Sequence, residues 1–258
     1  MYANCHGNDH NFTETWSYNK VMKGLKVRIR MKQFRIPQIL IVSLSLLLSI
    51  SVASSASAAT LTVNEYTDGA ESGNASGTCN LREAIQAINN GADIVGDCTA
   101  TGTYGTADEI QFTGTFPQTY TLTWDAGGGT AHPLIVDNDL ISTGPGSADL
   151  TIDGNDETMA FILGAQFSGT GVVFDLSGVT LLDGNSTVAF GSYGYNGGEG
   201  GTIYSQDGGE VTLDDIIMNG GTGVNGANLY IGTNSTLTMS DTEILNGESV
   251  FGGSGREI

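Results

Sequence analysis

Hydrophobic and polar residues alternate in short runs along most of this chain. Between residues 59 and 68, Leu61 and Val63 are separated by Thr and followed by polar positions. Alternation with a period of two is typical of a β-strand with one buried face. Similar runs, bounded by Gly, Asp and Asn, occupy residues 109–114, 119–124, 134–137, 149–155, 160–163, 171–185, 209–220 and 235–247. No segment after residue 91 has a sustained helical period, so the pattern predicts an all-β fold.

One helix interrupts this pattern, in the stretch GTCNLREAIQAINNG at residues 77–91. Asn80 is a candidate N-cap, Glu83 stands at the capping-box spacing, and Gly91 stands where a C-terminal cap belongs. Its apolar positions fall on one face and its polar positions on the other: Leu81, Ala84, Ile85 and Ile88 against Arg82, Glu83, Gln86 and Asn89. The segment predicts an amphipathic helix that covers an apolar surface.

The second half of the chain repeats itself. Residues 200–226 align on residues 226–252 without a gap, and the aligned pairs include Ile203 with Leu229, Tyr204 with Tyr230, and Asp215 with Asp241. The period of 26 residues is too short for a four-stranded propeller blade, and the repeat lacks the helix of a leucine-rich repeat. It fits one coil of a parallel β-helix, with residues 186–199 as an inserted loop. Because a β-helix has open ends, the helix at 81–90 is expected to cover the first coil.

Charge is distributed unevenly along the sequence. Seven of the nine Lys and Arg residues precede residue 36, whereas residues 59–258 carry 26 acidic and two basic side chains, a formal charge of −24. Such a surface repels phosphate backbones, so nucleic acid is excluded as a partner.

The basic residues precede an apolar stretch at residues 36–53 and the small residues Ala56, Ser57 and Ala58. These are the three parts of a secretory signal peptide, with cleavage predicted between Ala58 and Ala59 and no membrane span expected in the mature chain. A membrane-anchoring helix is the alternative. Residues 1–30 are interpreted as an over-extended start, so no metal binding is expected from Cys5, His6 and His10.

Two cysteines, Cys79 and Cys98, remain after the leader. In an exported chain they are expected to form a disulfide. A redox or metal-binding pair is the alternative, although the sequence offers neither CxxC spacing nor adjacent histidines.

The stretch Cys79-Asn80-Leu81-Arg82-Glu83-Ala84, with the neighbouring motifs from Leu61 to Asn155, resembles the CSLREA domain. The resemblance implies a secreted bacterial, right-handed parallel β-helix protein, with residues 59–100 as its N-terminal cap and 101–258 as the helix. The repeat half is similar, more weakly, to polymorphic outer membrane proteins and related adhesins, through residues 200–203 and 216–219. The final FGGSGREI falls where a further coil is expected to begin, so we expect a truncated product or a fragment.

The sequence contains few candidates for catalysis. A β-helix lyase removes a proton with Arg or Lys, but the mature chain has only Arg82 and Arg256. A hydrolase needs paired carboxylates, for which Asp214 and Asp215 are the best candidates, with His132 as the single mature histidine. A solvated acidic face is nevertheless the favoured interpretation of the pair, and no catalytic residue is expected. For Arg82, a structural ion pair is the expected role.

Oxygen ligands and aromatic residues suggest two binding possibilities. The turn with Asp153, Asn155, Asp156 and Glu157 offers ligands for a structural Ca²⁺, although no EF-hand or nonapeptide repeat is present and no other cofactor is expected. Four tyrosines are candidates for a glycan-binding patch, while two of them are also expected to stack between coils: Tyr193, Tyr195, Tyr204 and Tyr230.

The sequence thus predicts an exported, non-enzymatic β-helix protein with an adhesin-like or structural role. Its expected partners are surface glycans or host and cell-surface proteins, at the bacterial outer membrane or outside the cell. The alternatives are a carbohydrate-active β-helix enzyme, hydrolase or lyase, and a nonfunctional remnant.

Overall fold

The computed structural model describes residues 57–69, 76–94, 96–105, 107–125, 131–164, 171–187 and 199–250. All of them belong to one compact unit, Ser55–Ile258. Several predictions lie outside the described residues: the leader before Ser57, the group of Cys5, His6 and His10, the tyrosines Tyr193 and Tyr195, and the tail with Arg256.

The described residues form fifteen β-strands and one α-helix, which confirms the predicted all-β class. The helix, α1 (Leu81–Asn90), lies between the first two strands. The strands are β1 (Thr60–Val63), β2 (Asp108–Phe112), β3 (Gln118–Thr121), β4 (Leu134–Val136), β5 (Leu140–Thr143), β6 (Leu150–Asp153), β7 (Phe161–Leu163), β8 (Val173–Leu182), β9 (Ile203–Ser205), β10 (Glu210–Asn219), β11 (Thr222–Gly223), β12 (Leu229–Ile231), β13 (Thr236–Ser240), β14 (Glu243–Leu245) and β15 (Glu248–Ser249).

These strands form three sheets. The largest has the order β1-β2-β5-β8-β10-β13, with β14 also paired to β10 and with β6 paired to both β3 and β8. A second sheet has the order β12-β9-β7-β4, and β11 pairs with β15. Every one of these strand pairs is parallel, so the chain crosses back between neighbours rather than turning in hairpins.

The registers of the last strands match the alignment found in the sequence. Ile203 pairs with Leu229, Tyr204 with Tyr230, and Leu213 with Met239, each 26 positions apart. Earlier strands are separated by longer connections: Leu176 pairs with Leu213, 37 positions on, and Thr60 pairs with Glu109, 49 positions on. A spacing of 26 residues therefore describes the C-terminal strands and does not extend to the earlier ones.

A ladder of inward-facing side chains runs across the large sheet, through Leu61, Ile110, Ser142, Leu176, Leu213 and Met239. The first five are buried, whereas Met239, on the outermost strand, is 38 % exposed. β5 places the polar Ser142 at an inward position of this ladder. The alternation of hydrophobic and polar residues in β5 is therefore weak, and the hydrophobic pattern does not identify β5 as a strand.

Left-handed backbone conformations recur at matching positions of adjacent strands. Gly178 within β8, Asp215 within β10 and Asp241 between β13 and β14 have φ angles of 66°, 51° and 45°. Gly and, less often, Asp or Asn adopt this conformation at low cost. The repeated glycine and aspartate positions therefore mark the same bend on successive passes of the chain.

The ends of α1 are those predicted from the sequence. The Glu83 N–H donates to Asn80 Oδ1 at 3.0 Å, and the Asn80 N–H donates to Glu83 Oε2 at 3.2 Å, which completes the capping box. Gly91 is left-handed, with φ of 60°, and closes the C-terminal end.

The burial of α1 differs from a simple two-faced helix. Leu81, Ala84, Ile85 and Ile88 are buried in the core as predicted, and the helix packs against β1, β2 and β4. However, Arg82 and Glu83 on the opposite face are only 3 % and 2 % exposed. The polar face of α1 is therefore also covered by protein.

Candidate functional site

The most tightly bonded polar group among the described residues surrounds Arg82. Its guanidinium forms a two-bond pair with Asp68, with Nε–Oδ1 at 2.8 Å and Nη2–Oδ2 at 3.0 Å. Nη1 and Nη2 also donate to the carbonyls of Pro133 and His132, each at 2.8 Å. The Arg82 and Asp68 side chains are 3 % and 0 % exposed. The ion pair expected for Arg82 is present, and its partner is Asp68.

Asp68 is held by more than the arginine. The Tyr120 hydroxyl donates to Oδ1 at 2.9 Å, and the Thr123 and Trp124 N–H groups donate to Oδ2 at 2.9 and 2.8 Å. Burial raises the pKa of Asp68, but the hydrogen bond and charge of Arg82, with the two backbone amides, outweigh it, so the pKa lies below its ordinary value. The carboxylate therefore stays ionised at neutral pH.

Three ring side chains, those of Trp124, His132 and Tyr120, complete this group. The Arg82 Cζ atom lies 5.0 Å from the centre of the Trp124 ring, within cation–π range, and Trp124 in turn contacts the His132 ring edge-on at 5.1 Å. Burial and the charge of Asp68 raise the pKa of Tyr120 well above its ordinary value, so its hydroxyl keeps its proton as a donor. We refer to Asp68, Arg82, Tyr120, Trp124 and His132 as the Arg82 cluster.

The Arg82 cluster joins distant parts of the chain. Its members come from the end of the first strand region, from α1, and from the segments around β3 and before β4. The guanidinium and the Tyr120 hydroxyl both donate to the Asp68 carboxylate, and the hydroxyl also accepts from the Arg82 backbone N–H at 3.3 Å, so all three groups are engaged within the protein. The arrangement indicates a structural role, in which the cluster connects these segments of the fold.

The disulfide between Cys79 and Cys98 is present in the structure. Cys79 directly precedes the N-cap of α1, and both cysteines are buried, at 4 % and 0 % exposure. The Cys79 carbonyl also accepts from the N–H groups of Asn64 and Glu65, at 3.0 and 3.2 Å, beyond the end of β1. The disulfide therefore ties the start of α1 to the segment that follows the helix, and the hydrogen bonds to the Cys79 carbonyl tie it to the residues after β1.

Replacing both cysteines by serine, Cys79→Ser with Cys98→Ser, is expected to lower the free energy of unfolding by about 3 kcal/mol. The reason is that the bond closes a loop of about 20 residues and so restricts the unfolded chain. The urea midpoint of the double variant, compared with the oxidised parent, measures this. An unchanged midpoint would show that the bond contributes nothing.

The two carboxylates predicted for a hydrolase are exposed and separately bonded. Asp214 accepts from the Ser240 hydroxyl at 2.6 Å. Asp215, at the left-handed bend of β10, accepts from the Ser147 hydroxyl at 2.7 Å and the Ser147 N–H at 3.1 Å. His132 lies with the Arg82 cluster, beside the strands that α1 covers, whereas β10 is next to the outermost strand β13. The structure therefore does not bring the histidine to the carboxylates.

Two oxygen atoms of the turn suggested for calcium accept hydrogen bonds within the protein. Asp153 Oδ1 accepts from the Asn155 N–H at 2.8 Å, and the Asp156 carbonyl accepts from the Asn185 side chain at 2.7 Å. Burial and the charges of Asp156 and Asp153 raise the pKa of Asp183 nearby. Among the described residues, no group of three or more His, Cys, Asp or Glu side chains is placed to hold a metal ion.

Tyr204 and Tyr230 form a stacked pair on the sheet of β9 and β12. Their ring centres are 5.4 Å apart and their planes differ by 15°. The stacking predicted from the repeat is therefore present. The charge of Glu199, burial and the charge of Asp207 raise the pKa of Tyr230. Carboxylates thus flank the aromatic pair. Asp207 is fixed by the N–H and hydroxyl of Thr233, at 2.7 and 2.9 Å.

The outermost strands line an open cavity of about 310 Å³ with both polar and apolar walls. Its lining includes Leu229, Ile231, Leu237, Ile244 and Leu245, and the last of these is 41 % exposed. This is the end of the sheets opposite α1.

The fold thus defines a class: an all-β protein of parallel sheets, with one disulfide-linked, capped helix packed on its first strands. Comparison with family models, with curated proteins and with solved structures gives no match. The resemblance to the CSLREA domain stays a prediction. In the part of the chain that the structure describes, no helix has the length and apolar character needed to cross a membrane.

Sequence analysis did not identify Asp68, Tyr120 and Trp124 as partners of Arg82. One signal was available, because the only basic side chain between residues 36 and 255 must find a carboxylate if it is buried. Which of the many acidic residues it binds depends on the fold, since Asp68 is 14 positions away and Tyr120 is 38.

Proposed function

We propose that this chain is an exported, non-enzymatic protein built as a parallel β-helix, with an adhesin-like or structural role at the bacterial cell surface. The observation that carries the proposal is the register of the strands. In three separate sheets, residues one repeat of 26 positions apart are paired: Leu213 with Met239, Tyr204 with Tyr230, and Thr222 with Glu248. Pairing of the C-terminal strands at one spacing in three sheets supports a coiled path for this part of the chain.

The covered first strand supports the proposed role of α1 and residues 59–100 as an N-terminal cap. Thr60 and Thr101 exchange backbone hydrogen bonds at 2.8 and 2.9 Å, and the Cys79 carbonyl accepts from the N–H groups that follow β1. These bonds use the outer edge of β1, which would otherwise be free to pair with another chain. A protein that acts by presenting a long sheet surface outside the cell needs such protection.

The stacked tyrosines support surface glycans as partners. Tyr204 and Tyr230 offer an aromatic surface, and the carboxylates of Glu199 and Asp207 near Tyr230 can accept hydrogen bonds from sugar hydroxyls. The hydrogen bonds from Thr233 to Asp207 position one of these acceptors.

One experiment compares this proposal with the hydrolase alternative. The processed protein is passed over immobilised neutral and acidic polysaccharides, and both retention and newly formed sugar ends are measured. We expect retention without products, and a roughly tenfold weaker affinity for Tyr230→Ala, equivalent to about 1.4 kcal/mol. Tyr230→Phe, which keeps the ring, is the matched control.

Products that disappear in Asp214→Asn or Asp215→Asn would overturn the non-enzymatic function in favour of a carbohydrate-active enzyme. Retention that is equal in the parent and in Tyr230→Ala would remove the tyrosines from the glycan surface. If no polysaccharide retains the protein, glycans are rejected as the partner class in favour of cell-surface proteins.

A further inference from the structure

The residue that follows the predicted leader is buried. Ala59 is 0 % exposed, and its backbone nitrogen donates to Asp108 Oδ1 at 3.0 Å. Its carbonyl accepts from the Glu109 N–H at 2.8 Å, which holds it in register at the start of β1. The predicted cleavage bond therefore lies directly beside a buried carboxylate.

Asp108 lacks a cationic partner among the described residues. Its side chain accepts hydrogen bonds from two backbone N–H groups. The Ala59 N–H donates to Oδ1, and the Gly105 N–H donates to Oδ1 and Oδ2 at 3.3 and 3.1 Å. The residue is 1 % exposed, and the ion pair found among the described residues joins Arg82 to Asp68 instead. Burying a carboxylate without a positive charge is costly, so the surroundings of Asp108 favour a cation.

We propose that Asp108 is the binding site for the α-ammonium group that leader removal creates at Ala59. The inference rests on the export and the cleavage position proposed above. Hydrolysis of the Ala58–Ala59 peptide bond by a leader peptidase consumes one water: Ala58 leaves with a carboxylate, and the Ala59 nitrogen becomes an ammonium. The nitrogen that donates to Asp108 as a neutral amide then donates to it as a cation, which forms a buried ion pair.

Such a site couples processing to the stability of the first strand. While the leader is attached, Asp108 has amide partners alone. Processing also removes contacts, since the Thr103 N–H donates to the Ser57 carbonyl at 3.0 Å and Ala58 bridges to Thr103. We expect the ion pair to stabilise the fold by more than this loss destabilises it. The mature chain should then be more stable than a chain with a single residue left before Ala59.

The test uses the full chain, exported with its own leader, in four forms. The parent yields Ala59 as its first residue. A variant with one Ser inserted between Ala58 and Ala59 yields that Ser first, and Asp108→Asn is made in both. Intact mass defines each first residue. We expect the parent to melt roughly 5 °C above the Ser-extended form, and the difference to vanish in the two Asp108→Asn forms.

A second measurement does not depend on the folding of Asp108→Asn. An amine-selective acylating reagent at neutral pH should label the first residue of the parent at least tenfold more slowly than that of the Ser-extended form, because the ammonium is buried and paired. Equal melting temperatures and equal labelling would overturn the proposal. A processed chain that begins at another residue would also overturn it while leaving the exported β-helix intact, whereas a chain that is never exported would overturn the proposed function itself.

Discussion

Asp68→Asn is expected to lower the free energy of unfolding by about 3–5 kcal/mol, since removing one partner of a buried ion pair leaves an uncompensated charge. The side chain of Arg82 is 3 % exposed and cannot move into water without opening α1. The substitution keeps the size of Asp68, so the loss reports charge and hydrogen bonding rather than a cavity. The midpoint of urea unfolding, with the slope held constant, measures it.

Arg82→Lys tests the same group from its other side. A lysine keeps the positive charge but cannot reproduce the paired bonds to Asp68 together with those to the carbonyls of His132 and Pro133. It also loses the flat contact with Trp124. We therefore expect a loss of stability nearly as large as that of Asp68→Asn.

The acid response provides an independent check on the Arg82 cluster. Because the folded pKa of Asp68 lies below its ordinary value of 3.8, the unfolded chain binds a proton first as the pH falls. The contribution of Asp68 is fully present above that ordinary value and is lost as the pH falls through the lower folded pKa. Asp68→Asn should remove this part of the acid sensitivity.

Asp241→Asn is the matched control, because Asp241 is exposed and its left-handed backbone suits asparagine as well. Its effect should stay within about 0.5 kcal/mol. If Asp68→Asn is no more damaging than Asp241→Asn, the Arg82 cluster does not stabilise the fold.

Much of the local structure could be predicted from the sequence because local chemistry determines it. Asn80, Glu83 and Gly91 specify the ends of α1 by bonds that span a few residues. The 26-residue alignment likewise identified the pairs that the C-terminal strands adopt, since a parallel register stacks equivalent positions. Between the earlier strands the connections differ in length, so no single period could reveal their pairing.

The sites depended on contacts that the sequence does not encode locally. The polar face of α1 looks solvated in a helical projection. However, Asn89 donates to the Ile135 carbonyl at 2.8 Å and Arg82 donates to the Pro133 carbonyl, because β4 and the residues just before it pack on this face. Asp214 and Asp215 are adjacent in the sequence, and a solvated acidic face is the favoured interpretation of the pair. Both are exposed, and they accept hydrogen bonds from different serines, Ser240 and Ser147.

The two ends of the sheets differ in their protection. At the first strand, Thr101 and the Cys79 carbonyl bond the outer backbone groups, and α1 packs on the apolar ladder at Leu61, which is buried. At the last strands, Met239 of the same ladder is 38 % exposed, and Leu237 on the same strand lines the open cavity. Loss of the helix cover should therefore give the first strand the same exposed character.

Leu81→Asp is expected to release α1 from the first strands and to turn a soluble monomer into an aggregating species. Leu81 is 1 % exposed in the core under the helix. Loss of its packing costs about 2–5 kcal/mol, and the buried carboxylate adds a further penalty. The exposed edge of β1 and its apolar ladder then become available for pairing with other chains. Light scattering and size-exclusion chromatography after gentle warming measure the change.

Thr62→Asp provides the matched control, because it adds the same charge on the exposed face of β1. It should leave the monomer intact, since its carboxylate remains in water. If Leu81→Asp also stays monomeric and binds no more of a hydrophobic dye than Thr62→Asp does, then α1 does not protect the first strand. In that case the bonds of Thr60 with Thr101, and those from Asn64 to Cys79, would be sufficient protection for this edge.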